Sequence, residues 1–472
     1  MSVLEALKPI YSLLPEVRAP EGKQPLNRRL MWTAAVLLLF FLMGNIQLIG
    51  ITGESLGGQL ESAQIVLALK IGTLISAGIG PIVLASIILQ LLIGGGLIKL
   101  DLSNPAEKAQ FSGTQKLLAI ALSFIEGFFY LAGGLLVAAP GMFWFVLLQM
   151  ALGSILLLYM DEVVSRYGIG SGIGLFIAGG VAEEVFWRAF SPLDAARNFN
   201  LAEASGLVFL LINSIGSSLV TAVTQYFLPI FFTLVVFLVV VYAEGIHVNI
   251  PITMGARGSG GRYPVKFLYV SNMPVILAAA LFANIQIWAT LVQGRVPILE
   301  NIIGGLAAIV SSPTQLVERL LLEGLSPQIF GQFVQSITTF QFVGLGGEII
   351  HGFLYIIILT LLCVVFGKFW IELGGQGSER VAQQLDRAGM AIPGFRRDPR
   401  VIKQVLDRYI PTITILGSAF VGLLAGFADL TGALGTGTGI LLTVGIVYRL
   451  YEELAKQQLE DMHPMLGRFF GG

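Results

Sequence analysis

The sequence predicts an all-α membrane protein assembled from two inverted five-helix halves. Three observations lead there: an apolar composition, ten segments of bilayer length, and Gly/Pro motifs that recur five segments apart. Of 472 residues, 55% belong to the set AVILMFWYC and 12% are Asp, Glu, Lys or Arg, against about 25% charged in an ordinary soluble domain. Mean hydropathy is +0.82. A soluble enzyme, a disordered chain and a nucleic-acid binder are excluded together, because each needs far more charge. The single cysteine, Cys363, supports neither a disulfide framework nor a cysteine metal cage.

A bilayer core about 30 Å thick takes about 20 apolar residues as helix. Ten segments qualify: 30–49, 71–94, 115–138, 141–161, 171–190, 224–245, 269–292, 348–371, 409–428 and 432–452. The first is apolar for too long to be a signal peptide and has no small-residue cleavage site after it. With the N-terminus inside, 23 of the 28 Lys and Arg fall in cytoplasmic segments, and Lys70, Arg188, Arg197, Arg295 and Arg319 fall outside. Basic residues concentrate on the cytoplasmic side, so both termini, 1–29 and 453–472, are expected there. The stretch VLEALKPIYSLLPEV puts Leu4, Leu7, Tyr11 and Leu14 roughly on one face. That suits a short helix on the inner membrane surface anchored by Arg28 and Arg29, with a partner-docking helix as the alternative. Residues 191–223 and 293–347 are external segments. The first includes an apolar stretch, 203–222, with Asn213 and several Ser and Gly, which reads as an external or half-inserted helix; the second holds weakly amphipathic pieces such as LVERLLLEGL.

The fifth segment begins GIGSGIGLFIAGG and the tenth GALGTGTGILLTVG. The second carries GIGPIVLAS and the seventh SNMPVILAA, each with a proline near its start, Pro81 and Pro274. An offset of five spans is odd, so the halves 30–190 and 224–452 face opposite ways across the membrane. Interrupted segments at matching positions mark the functional axis of an inverted-repeat membrane protein.

Catalytic and metal motifs are missing. There is no HExxH, Walker A, G-x-S-x-G or Cys/His cluster, and His247, His351 and His463 stand far apart. No enzyme activity, cofactor or metal is expected. Among ionisable residues, Glu126 falls inside a span, while Asp161, Glu162, Glu244, Glu348 and Asp429 lie near helix ends, where an interfacial place is expected. Intramembrane charge is the usual mark of ion coupling. Its scarcity disfavours the competing reading, an inverted-repeat secondary transporter of a small solute.

Four long stretches, TLISAGIGPIVLASIILQLL, DEVVSRYGIGSGIGLFIA, KFLYVSNMPVILAAALFANIQ and GALGTGTGILLTVGIVYRLYEEL, closely resemble the SecY family of protein-conducting channels in its archaeal and eukaryotic form. The likeness runs along nearly the whole chain and weakens in 191–222 and 293–347. It implies two halves that open like a clamshell around a central pore, passing unfolded polypeptide across the cell membrane and releasing hydrophobic segments sideways into lipid. It also implies partners: a SecE-like single-span subunit, a small third Sec subunit, the ribosome or another cytoplasmic partner, and signal sequences and nascent chains, with membrane lipids around the whole.

The resemblance assigns sites residue by residue. A ring of aliphatic side chains maps to Ile79, Val83, Ile173, Ile177, Ile276 and Leu442, with Leu441 one slip away. Ile79/Val83 and Ile173/Ile177 are i,i+4 pairs and so share a helix face. A short plug helix maps to 53–69, including Ser55, Leu56, Gly57, Gly58, Leu60 and Ile65, which are too polar to span and too apolar for a plain loop. A lateral gate between the second–third and seventh–eighth spans maps to Glu126 and Asn284. Where relatives carry a threonine in that seam, this chain has Leu84. Cytoplasmic docking maps to Arg257, Arg262 and Lys266 in loop 246–266, and to Arg396, Arg397, Arg400 and Lys403 in loop 372–408. Such basic groups suit salt-sensitive phosphate contacts.

Overall fold

The computed structural model describes residues 8–22, 24–52, 64, 67–94, 98, 100, 104–194, 198–200, 204–216, 218–254, 259–270, 273–294, 297–313, 316–323, 331–332, 335–336, 344–373, 376–387, 390–391 and 399–462. Ten long helices lie in them. The first half holds α1 (Leu26–Met43), α2 (Gly80–Gly94), α3 (Pro105–Ala132), α4 (Phe143–Tyr167) and α5 (Gly172–Phe190). The second holds α6 (Leu228–Glu244), α7 (Met273–Val292), α8 (Gly344–Leu373), α9 (Pro399–Leu430) and α10 (Gly437–Met462). A three-residue helix and a π turn, Ala222–Phe227, lead into α6 without a break.

Burial separates the periphery from the centre. Only 17% of the most apolar window is buried in α1, and the same share in the α6 span, whereas α7 buries 61%. The exposed side of α6 is Phe231, Leu234, Phe237, Leu238 and Val241, a stripe at helical spacing that faces lipid. Seven described helices are long and apolar enough to cross a bilayer individually, and α2, α5 and α10 are not among them. α5 carries Glu183, Glu184 and Arg188, and α10 has a charged C-terminal half.

The second span departs from its expected bounds of 71–94, because helix begins only at Gly80. Residues 67–79 fold as a compact turn instead. Leu48 N donates to Gly72 O at 3.0 Å and Leu74 N to Ile46 O at 2.9 Å, which stitches the turn to the exit of α1. Gly78 sits at φ +53, and a Cβ there would stand 2.4 Å from Leu67 O, so no larger residue fits. The 15 residues of α2 reach about 22 Å, less than the core thickness. Irregular backbone at membrane depth survives only inside protein, and Leu67, Leu69, Ile75 and Ala77 are all buried. α3 differs the other way. It starts ten residues before its expected 115, because Asn104 accepts from Ala106 N at 3.0 Å and Pro105 opens the helix.

A three-stranded sheet joins the segments that follow α6 and α8. β1 (His247–Met254) pairs antiparallel with β2 (Ser259–Lys266) and, at Thr253 and Met254, with β3 (Met390–Ala391). The alternation Val248, Ile250, Ile252, Met254 before a Gly-rich turn is a hairpin signal in the sequence, set here on an otherwise helical chain. Ile250 and Val265 enter a second apolar core with Val381, Leu385, Ile402 and Leu406. The described parts of 246–266 and 372–408 therefore belong to one folded unit that continues into α9.

Candidate functional site

Where the halves meet, the centre is built from the Gly- and Pro-marked helix starts. α2 packs on α7, α7 on α10, and α10 on α5. Ile79 opens α2: its amide donates to Leu67 O at 2.9 Å, and its carbonyl accepts from Val83 N at 3.0 Å, which puts Ile79 and Val83 on one face. Ile79, Ile177 and Leu442 are fully buried, and Val83 and Ile276 nearly so. Ile173 is half-buried against them. All six belong to or pack against one contiguous apolar cluster drawn from both halves. Leu441 and Leu442 are equally buried.

The two Gly-rich starts share one local solution. Asp161 near the end of α4 accepts from Ile173 N at 2.9 Å and from the Ser171 hydroxyl at 3.3 Å, and so caps α5. Asp429 near the end of α9 accepts from Thr438 N at 3.1 Å and the Thr438 hydroxyl at 2.7 Å, and so caps α10. Such caps satisfy amides that a helix start leaves unpaired. Glycine lets the preceding helix come close. A Cβ on Gly172 would lie 2.5 Å from Asp161 Cα, and one on Gly437 would lie 2.1 Å from Ala428 Cβ. Asp429, expected at an interface, is instead buried and takes a third bond from the Tyr355 hydroxyl at 2.7 Å. Glu244 is also buried, beside the charges of Lys266 and Arg449. Tertiary partners overrode position along the helix in both cases.

Glu126 and Asn284 are both buried, on α3 and α7, which touch. They do not hydrogen-bond each other. Asn284 Nδ2 donates to Ala280 O of its own helix at 2.8 Å. Glu126 points at the start of α2, where a Cβ on Gly80 would lie 3.1 Å from its Oε2, and neither carboxylate oxygen meets a donor among the described residues. Leu84 lies one turn beyond Gly80 on α2 and supplies no hydroxyl. Sequence reasoning missed Tyr130. It is buried one turn after Glu126, within its electrostatic reach, and its hydroxyl has no partner among the described residues. The i,i+4 spacing was the available signal.

The six plug residues, Ser55, Leu56, Gly57, Gly58, Leu60 and Ile65, lie outside the described residues, as do Arg257, Arg396 and Arg397. Arg262 stands on β2 opposite Pro251. Lys266 ends β2 in an ion pair with Glu452 of α10, with its ammonium 5.3 Å from the centre of the Tyr448 ring. Lys403 pairs with Glu379 at 2.9 Å, and Arg400 is exposed in the first turn of α9. Among the described residues no group of three His, Cys, Asp or Glu could hold a metal.

A polytopic helical bundle whose two halves meet in an aliphatic centre is the architecture of a membrane channel. A SecY family profile matches residues 73–451. The protein translocase subunit SecY of Methanothermobacter thermautotrophicus is 44% identical, over 99% of both chains. A solved structure of a protein-conducting channel is 41% identical, covers 97% of this chain and 99% of its own, and has a TM-score of 0.79. Sec61 in the canine ribosome–channel complex from the endoplasmic reticulum is 39% identical at a TM-score of 0.76, over 97% of this chain and 99% of that one. The chain belongs to the SecY family, a family of multi-pass membrane channels and not of enzymes.

Proposed function

We propose that this chain is the central, channel-forming subunit of a Sec translocon in the cell membrane, passing unfolded polypeptides across and releasing hydrophobic segments sideways into lipid. The observation that carries the reading is one apolar cluster drawing aliphatic side chains from α2, α5, α7 and α10, in a chain alike to SecY proteins from end to end. An aliphatic waist resists wetting, so it blocks ions without a dedicated binding site. It offers a passing chain few hydrogen bonds, so diverse sequences slide. In this reading Ile79, Val83, Ile173, Ile177, Ile276 and Leu442 form the waist, and 53–69 is the plug that closes it externally.

Release sideways follows from partition energies. About 20 Leu-like residues at roughly −0.5 kcal/mol each favour lipid by about 10 kcal/mol, and one central Lys or Asp removes about 3. The gate between α2–α3 and α7–α8 need only let the chain sample lipid, with Glu126 and Asn284 setting how readily it parts. The distribution of Lys and Arg supports cytoplasmic termini. A SecE-like single-span subunit and a small third subunit complete the assembly. The likeness to Sec61 from a ribosome–channel complex supports a ribosome docking on the cytoplasmic sheet. The chain has no nucleotide motif, and the driving force comes from a partner.

A stalled secretory chain carrying photo-crosslinkers tests this. Labelling of positions 79, 173 and 276 is the expected result. Labelling confined to lipid-facing positions such as Leu234 and Phe237 would overturn it. Replacing Ile79, Val83, Ile173 and Ile177 with Ser should raise single-channel leak, and unchanged leak would remove them from the waist.

A further inference from the structure

Beyond α7 the chain turns at Gly294, whose amide donates to Glu300 Oε2 at 3.1 Å. It then runs as helix from Pro297 to Val310. Its 14 residues reach about 21 Å, too short to cross the bilayer core. No Asp, Glu, Lys or Arg occurs between Glu300 and Glu318, although a loop in water has no reason to exclude charge. Ile298, Ile302 and Leu306 follow i, i+4, i+8 spacing and are 74%, 57% and 49% exposed, with Leu299 beside them and Asn301 at the margin. This is an amphipathic helix whose apolar face turns away from the protein.

The far end of the helix is fixed from two sides. Gln286 Nε2 of α7 donates to Val310 O at 3.3 Å. The His351 ring of α8 lies against the backbone of Ala308 and Ile309. The last carbonyls of a helix need partners from outside it, and these come from spanning helices rather than from water. Depth follows from α7, which at 20 residues is about one core thickness long. Gln286 lies about 9 Å inside its external end. The exposed apolar face therefore continues the lipid-facing surface of α7 and α8, where Trp288, Phe353 and Ile357 are also exposed.

We propose that residues 297–310 form a re-entrant half-helix seated in the external leaflet against α7 and α8, with Ile298, Ile302 and Leu306 in contact with lipid acyl chains. Glu300 marks the entry at the headgroup level, and Val310 lies at the deep end. The placement requires only that α7 and α8 cross the bilayer, so it survives or fails separately from the channel reading. It makes acyl chains, not an aqueous loop, the external neighbours of the α7–α8 wall.

The test uses the unaltered complex in liposomes containing a phospholipid with a photoreactive group midway along its acyl chain. After illumination, peptides spanning 298–306 should carry label at a density within about threefold of the α8 peptide with Phe353 and Ile357. Label on that α8 peptide with none on 298–306 would overturn the proposal. A membrane-impermeant carboxyl- and side-chain-footprinting reagent gives the complementary reading. Glu300 and Gln293 should react, and modification of Ile302 and Leu306 to the same extent would place the helix in water and sink the idea. Protection of 298–306 from both probes would show a protein cover and equally overturn it.

Discussion

The two helix corners that start α5 and α10 are versions of one device in different surroundings. In the first half Asp161 is half-buried and Ser171 is exposed; the carboxylate takes one hydroxyl, from Ser171, and the amides of Gly172 and Ile173 at the start of α5. In the second half Asp429, Thr438 and Tyr355 are all buried. There the carboxylate takes two hydroxyls and an amide. A charged or strongly polar cap costs more to desolvate in the interior and needs a further hydroxyl there. The inverted repeat copies the backbone geometry. The dry corner adds Tyr355, contributed by α8, which has no counterpart among the Asp161 partners.

Breaking the dry corner should have the largest effect. Asp429→Ala strands three donors and should destabilise the folded chain by about 3 kcal/mol, read as a fall in the thermal unfolding midpoint of the purified complex. Tyr355→Phe removes one hydroxyl aimed at a carboxylate and should cost about 2 kcal/mol by the same measurement. Asp161→Ala loses a cap that water can partly replace, at about 1 kcal/mol. An Asp161 loss equal to that of Asp429 would mean that the two corners are equally dry and would dissolve the comparison.

The smallest effect is a pH response beside the three-stranded sheet. Tyr269 donates to Gln376 O at 2.8 Å, and burial pushes its hydroxyl above the ordinary tyrosine range. A folded-state value above the unfolded one near 10 means that the folded form holds its proton more tightly. Stability from this group is therefore fully present below about pH 10 and is lost as pH rises beyond it. Tyr269→Phe should flatten that loss in unfolding measured from pH 9 to 11. An unchanged slope would assign the alkaline loss to other groups.

Ten helices and their inverted order were legible because lipid forces long apolar stretches and the repeat left Gly and Pro at matching places. Bounds failed where local chemistry overrode hydropathy. Gly78 and Pro81 delay α2 to Gly80, and Asn104 starts α3 early, and neither shows in a hydropathy window. The three-stranded sheet was signalled by alternation in 248–254 but stood outside an all-helical expectation. For the site, residue types along each helix were readable, and their partners were not. Lys266 and Lys403, assigned to docking, also hold Glu452 and Glu379 within the chain.

By itself the sequence determined that this protein lives in a bilayer as a ten-helix chain of two inverted halves. Those properties come from composition and spacing, which act residue by residue along the chain. Tertiary structure decided which polar groups are buried and what satisfies them. Tyr355 meets Asp429 across 74 residues, and Lys70 meets Glu183 across 113. Such pairs depend on which helix faces come together, and periodicity within one helix carries no record of its neighbour.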